Sequence, residues 1–525
     1  MTIKRILLLF LLLWLGTGCG KRKAGPGSEG GAGAILVFGR GADAKKLDPA
    51  DIDDGESVKV CNQIFETLVT YAKQSAELVP LLATSWEQSE DGKTWTFHLR
   101  EGVTFHDGTP FDAGAVVFSL DRHVDPDNPY RFKGAFTYSS NYRVIETMEA
   151  VDPHTVRFRL KEPSAVFLAN LAMFPASIVS PAAVKEKGAD VQRNPVGTGP
   201  FRFVKWVPAE KIVLEAYPDY WGEKPELGGV IFKPVKENAA RLQQLKRGEI
   251  HMMDNFSFSD IEPIVDDPDL VFESVTGMNF AYLAMNNTHP PFDKRKVRLA
   301  VAHALDKKKL IQLAVFGYGA TGPNPMPPSV WGYHDGIEDY PHDPDRAKAL
   351  LEEAGFPDGF ETELWAMPNP RPYMPRPKEA AQIIKQDLAA VGIEAEILSP
   401  PWNTYLDKVQ SGEHPLCILG WTTDNGDPDN FLWQLLSKEN AVKGASQNVA
   451  FYRDDEVSEI LDRAKSELDP GKRKALYEKA QERIHRDAPM IPLLYLPQMI
   501  AHRKEVEGYT VHPIGVVRLW PVRLK

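Results

Sequence analysis

Cysteine is nearly missing from this chain, with three in 525 residues, at Cys19, Cys61 and Cys417. That scarcity excludes a disulfide-stapled scaffold, which needs bridges at high density. No Cys-x-x-Cys or His-x-x-x-His spacing occurs, so no metal-ligand set of zinc type is visible. The pairs His106-Asp107 and His342-Asp343 read as isolated polar residues. A Gly-x-Ser-x-Gly elbow is absent too, which leaves a serine hydrolase without a visible nucleophile. Gly197-Thr198-Gly199 lacks the third glycine of a nucleotide loop and reads as a turn before a strand. Positive charge is also short. The net charge is −11, and −13 once Lys4 and Arg5 leave with an N-terminal leader, which argues against nucleic acid or anionic lipid as partner.

The leader is the one notable apolar run. Lys4 and Arg5 precede Ile6 to Leu15, and Gly16-Thr17-Gly18 leads into Cys19. Ten apolar residues are too few for a bilayer span, which takes about 20, so residues 1–18 read as a signal peptide of an exported protein. A cysteine at this point resembles the lipobox of bacterial lipoproteins, although Gly16 stands where a branched apolar residue is usual. Lipidation of Cys19 is the expectation; plain secretion with cleavage near Gly18 is the alternative. Residues 19–33, basic and then rich in Gly, Ser and Ala, read as a flexible tether. This places the protein on the periplasmic or extracellular face of a membrane.

The composition is that of a globular protein, 43% apolar and 25% charged, and the chain beyond the tether is long enough for more than one domain. Cys61 and Cys417 each sit in an apolar run and read as two lone buried thiols.

The second half is the more readable. Asp343-Pro344 marks a helix start, Ala347, Leu350, Leu351 and Ala354 form its apolar stripe, and Gly355 ends it. An extended segment from Phe360 to Met367 comes next, then a Pro-rich loop over 368–377. Beyond the loop lies an amphipathic helix through Ala380, Ile383, Ile384, Leu388 and Val391, with Gly392 as its stop. Alternation at Ile393, Ala395 and Ile397 completes a βαβ unit, whose strands should be parallel. Leu416 to Trp421 is a continuous apolar run, as for a strand buried on both faces.

Each of two strands therefore ends in a charged loop. Trp365 to Tyr373 carries Arg371, and Gly420 to Asn430 carries Asp424, Asp427 and Asp429. Ligands of open α/β sheets bind at such carboxyl ends, and opposite charges there suit a zwitterion. Asp427 and Asp429 read as turn residues.

In the first half, Trp95, Phe97 and Leu99 alternate with polar residues after the turn Glu90-Asp91-Gly92-Lys93, which predicts a hairpin. A helix through Val116, Val117 and Leu120 and a second alternating run, Thr155 to Leu160, indicate an α+β subdomain.

Several blocks carry a family resemblance. They are this hairpin with Phe105-His106-Asp107-Gly108, then Asn194 to Phe201, Tyr217 to Pro225, Lys296 to Leu305 and Pro328 to Tyr333. Together, in this order, they are similar to the family 5 extracellular solute-binding proteins of ABC importers. The loops Trp365 to Tyr373 and Gly420 to Phe431 are most similar to its peptide-binding members.

The resemblance implies the two-lobe α/β periplasmic-binding-protein fold (type II, cluster C) with an extra α+β subdomain in lobe one. Lobe one would comprise 34–276 and 496–525, lobe two 277–495, with a hinge near Gly277-Met278 and Leu496-Pro497. It implies that Arg371 takes a peptide α-carboxylate and Asp424 its α-ammonium, that Trp421 and Tyr373 wall the site, and that Tyr138 contributes from lobe one. Peptide-binding members carry a cysteine pair soon after the Asp-Pro-Asp-Asn motif, and 435–451 contains none. The function implied is a monomeric, non-enzymatic receptor without cofactor. It would capture short peptides, dipeptides foremost, and hand them to an ABC permease in the cytoplasmic membrane. The same scaffold taking glutathione, haem or nickel is the alternative, and an exported peptidase is the competitor from another class.

Overall fold

The computed structural model describes residues 33–132 and 136–525. The expected signal peptide, Cys19 and the tether up to residue 32 lie outside the described residues. Among those described, no helix is long and apolar enough to cross a membrane.

One ten-stranded mixed sheet runs through both lobes. Its order is Ile393–Leu398, Phe360–Trp365, Leu416–Thr422, Leu270–Met285, Met490–Arg503, Met252–Asp254, Ile35–Arg40, Gly229–Pro234, Lys211–Ala216 and Phe201–Val207. The two central strands are long, 16 and 14 residues, and pair antiparallel from Leu270 opposite Arg503 to Ala284 opposite Met490. Their register slips between the pairs Thr276–Pro497 and Phe280–Tyr495. Gly277 lies in this interruption, where a Cβ would stand 2.5 Å from Leu496 O, so only glycine fits. Asn279, buried, closes the gap by donating Nδ2–H to Leu496 O at 3.0 Å.

The expected βαβ unit is present. Asp343 caps the helix Pro344–Glu353 by accepting from the Arg346 N–H, and the helix Pro377–Ala389 joins two strands that pair in parallel from Phe360–Ile393 to Trp365–Leu398. Leu416–Thr422 lies parallel to Phe360–Trp365 on one side and antiparallel to Leu270–Met285 on the other. Its first five residues are buried, as expected of a strand covered on both faces.

The predicted hairpin, Ala83–Gln88 with Thr94–Leu99, is extended by Thr155–Leu160 and Ile145–Asp152 into a separate four-stranded sheet. The helix Ala113–Val124 turns Val116 and Leu120 into a core shared with Trp95, Phe97 and Phe158. This is the extra α+β subdomain. Cys61 and Cys417 are free and buried.

Candidate functional site

Parallel pairing of Leu364 with Leu416 and Trp365 with Cys417 brings the carboxyl ends of two strands to one edge of the sheet, and both charged loops with them. In the first loop Arg371 and Met374 exchange backbone hydrogen bonds of 3.0 and 2.9 Å, making Pro372-Tyr373 the tip. The Tyr373 ring lies on Gly420, where a Cβ would come within 2.2 Å of it, so glycine in the neighbouring strand lets the loop fold down. The Arg371 guanidinium stands 3.5 Å from the centroid of the Trp402 ring, and its Nε is buried without a hydrogen-bond partner. Among the described residues it has no carboxylate partner. An indole face holds a guanidinium in one orientation without neutralising it.

In the second loop one side chain sets two others. Asn430 Oδ1 accepts from Trp421 Nε1–H at 2.9 Å and from the Asp424 backbone N–H at 3.1 Å. The Asp424 carboxylate accepts from the Tyr138 hydroxyl at 3.3 Å, from a segment 286 residues earlier, and has no cation partner among the described residues. Burial pushes its carboxyl up to about 6, against the pull of hydrogen bonds from Asn430 and Tyr138. Burial and the neighbouring Asp424 push the Tyr138 phenol far up, so it remains a donor. Beside it, Asn425 Nδ2–H donates to Asn170 Oδ1 at 2.9 Å.

Asp427 does more than build a turn. Its backbone N–H does bond Asn425 Oδ1 at 3.0 Å, but Arg473 grips both carboxylate oxygens at 2.8 and 2.7 Å in a buried bidentate pair. Asp429 is pushed up to about 7 by burial, and its Oδ1 has no partner among the described residues.

A cavity of about 920 Å³ lies beside the second charged loop. Tyr138, Pro372, Thr423 and Asp424 are in its wall, facing Glu66, Tyr71 and Arg518. Arg371, Tyr373 and Trp421 are not: Arg371 reaches the wall only through its neighbour Pro372, Tyr373 is packed on Gly420, and Trp421 is tied to Asn430. Glu66 accepts from the Tyr220 hydroxyl, the Thr198 hydroxyl and Trp221 Nε1–H at 2.8, 2.8 and 2.9 Å, and burial pushes its carboxyl up to about 7.

Sequence reasoning missed Trp402, Asn430 and Arg473. Asn430 was within reach, being six residues past Asp424 in the same loop, whereas Trp402 and Arg473 come from other segments. His106 is no ligand: its Nε2 bonds Gly199 O at 2.9 Å, and burial pushes the imidazole down to about 4. Among the described residues no three His, Cys, Asp or Glu side chains are grouped to hold a metal ion.

Comparison with known proteins agrees with this architecture. The model of the bacterial extracellular solute-binding proteins, family 5, matches residues 77–443. The chain is 37% identical to a dipeptide-binding protein of Escherichia coli, covering 86% of this chain and 87% of that one. It is 36% identical to heme-binding protein A of Haemophilus influenzae, covering 89% and 88%. It also matches the structure of an ABC transporter-associated periplasmic binding protein, DppA, from Helicobacter pylori in complex with the peptide STSA. That match has a TM-score of 0.80 and 37% identity, over 94% of this chain and 98% of that one. The chain belongs to the family 5 bacterial extracellular solute-binding proteins.

Proposed function

We propose that this protein captures short peptides, dipeptides foremost, by their charged ends and delivers them to an ABC permease in the cytoplasmic membrane. The observation that carries the reading is a pair of uncompensated charges on adjacent loops, Arg371 over Trp402 and Asp424 under Tyr138, beside a cavity. A guanidinium offers a planar fork to a carboxylate, and a carboxylate accepts from an ammonium's three donors. Arg371 therefore takes the peptide α-carboxylate and Asp424 the α-ammonium. Trp421 and Tyr373 act from behind, as supports of their loops. Relatives named for dipeptides and a relative holding a peptide support the same ligand class.

In this reading the protein is a receptor and not an enzyme, acting as an exported monomer anchored through lipid on Cys19. Lobe one is 34–276 with 496–525 and lobe two is 277–495. The hinge lies at Gly277-Met278 and Leu496-Pro497, where the strand register is interrupted. Closure around the ligand is the output.

The test is titration calorimetry with Ala-Leu and N-acetyl-Ala-Leu, followed by chromatography of the peptide. Blocking the amine leaves Asp424 without its partner and should cost about 1.5–3 kcal/mol. Equal affinities would remove Asp424 from its role, and cleaved Ala-Leu would overturn the receptor reading. Haem added to the peptide complex should not displace Ala-Leu.

A further inference from the structure

The C-terminal tail supplies the cavity wall with a guanidinium of its own. Arg518 is in the cavity wall together with Tyr71 and Asp424. Its hydrogen bonds go to neutral groups, with Nη2 donating to Tyr71 O at 2.6 Å and Thr70 Oγ1 at 3.1 Å, and Nη1 to Ala72 O at 3.4 Å. Among the described residues no carboxylate pairs with it. Three buried guanidiniums are matched, Arg40 with Asp43, Arg122 with Asp48 and Arg473 with Asp427, whereas the buried Arg241 and Arg298, like Arg518, donate to neutral groups; Arg518 differs from those two in lining the cavity. The cavity's other cations do not substitute for it. Lys59 is held by Glu56 and Asp254, Lys45 by Asp53, and Lys73 is exposed.

A second observation points to a ligand. The Tyr71 hydroxyl is buried without a hydrogen-bond partner, on a residue only 4% exposed that lies in the cavity wall. Tyr71 is close enough to feel both Asp424 and Arg518 electrostatically. The cavity wall thus brings together a carboxylate without a cation, a phenol without a hydrogen-bond partner and a guanidinium without a carboxylate. An unpaired buried donor is unfavourable, and a ligand group that engages it recovers that cost.

Resting on the peptide reading above, we propose that Arg518 and Tyr71 form a subsite for a second carboxylate close to the ligand's ammonium. The favoured ligands are peptides whose amino-terminal residue is acidic. The same pairing of ammonium and carboxylate is offered by a γ-glutamyl peptide, whose α-carboxylate shares a carbon with the ammonium.

The experiment compares Glu-Leu, Gln-Leu and γ-Glu-Leu by titration calorimetry on the full chain, wild type and Arg518→Gln. Wild type should bind Glu-Leu or γ-Glu-Leu at least tenfold more tightly than Gln-Leu, about 1.4 kcal/mol. Which of the two leads identifies the source of the carboxylate. In Arg518→Gln the preference should vanish while Gln-Leu affinity stays within about twofold. Arg518→Lys, which keeps the charge without the planar fork, should retain part of it. Wild-type affinities equal for all three would overturn the subsite and leave the peptide reading standing. Failure of all three to bind would overturn that reading instead. Loss of Gln-Leu binding equal to loss of Glu-Leu binding in Arg518→Gln would show that Arg518 reads a group common to every peptide, and would also refute the subsite.

Discussion

Lowering the pH from 7 to 5 tests Asp424 with a magnitude set by its surroundings. Burial pushes its carboxyl up to about 6. About nine-tenths of molecules then carry the anion at pH 7 and about one-tenth at pH 5. A bound ammonium favours the anion, so at pH 5 binding must first remove a proton from most molecules. Affinity for Ala-Leu should fall about tenfold over this interval, about 1.4 kcal/mol. The peptide's own ends change little, because its amine titrates near 7.7–8.0 and its carboxyl near 3.3–3.7, by the usual values for such groups. Calorimetry at pH 5 in buffers of different ionisation enthalpy should show close to one proton released per peptide bound. For stability the sign reverses. A carboxyl raised in the fold contributes stability that is full below its unfolded value, about 3.9, and is lost as pH rises through about 6. Acidification from 7 to 5 therefore favours the empty fold through this group while it weakens capture. Asp424→Asn should bind at least tenfold more weakly at pH 7 and show a flat profile. Equal wild-type affinities at the two pH values would refute the role. So would the same tenfold loss surviving in Asp424→Asn, which would transfer the effect to Glu66 in the same cavity.

Arg371→Ala should weaken Ala-Leu binding at least tenfold, about 1.4 kcal/mol, by calorimetry. Trp402→Ala should weaken it by less, since the stacked pair contributes about 0.5–2 kcal/mol and the charge itself remains. Arg473→Leu leaves Asp427 buried and unpaired, and urea unfolding should show a loss of about 3–5 kcal/mol. Gly277→Ala forces a methyl against Leu496 O, and the same assay should show a loss of about 1–3 kcal/mol.

What could be read from the sequence divides by distance along the chain. The βαβ unit over 360–398 was legible because caps, stripes and alternation are local signals, as was the hairpin ending in Thr94–Leu99. The parallel placement of Leu416–Thr422 beside Phe360–Trp365 makes the two charged loops neighbours, and only their position after strands hinted at it. Partners drawn from remote segments left no local signal, and Tyr138 entered only through the family resemblance. Arg473 meets Asp427 from a helix 46 residues on, and Tyr138 meets Asp424 from 286 residues away. In sequence Asp424 stands apart through the resemblance while Asp427 and Asp429 read alike as turn residues. Yet these two differ in environment as well: Asp427 is neutralised by Arg473 and Asp429 is buried with an unpaired oxygen, while Asp424 borders the cavity.

The two long crossing strands also govern the order in which the molecule can be completed. Met490–Arg503 is inserted between Leu270–Met285 and Met252–Asp254, at the middle of the great sheet, yet it is almost the last strand to be synthesised. Until Arg503 has been added, the strands on either side of that gap have no common neighbour, and their inner edges stay open. Pairings over such sequence separations form slowly, because the closure entropy of the intervening chain must be overcome first. The ten-stranded sheet thus stays incomplete for nearly the whole of translation, although the separate four-stranded sheet within 83–160 does not depend on the late strand. A chain exported before its end is made would complete this sheet only after export.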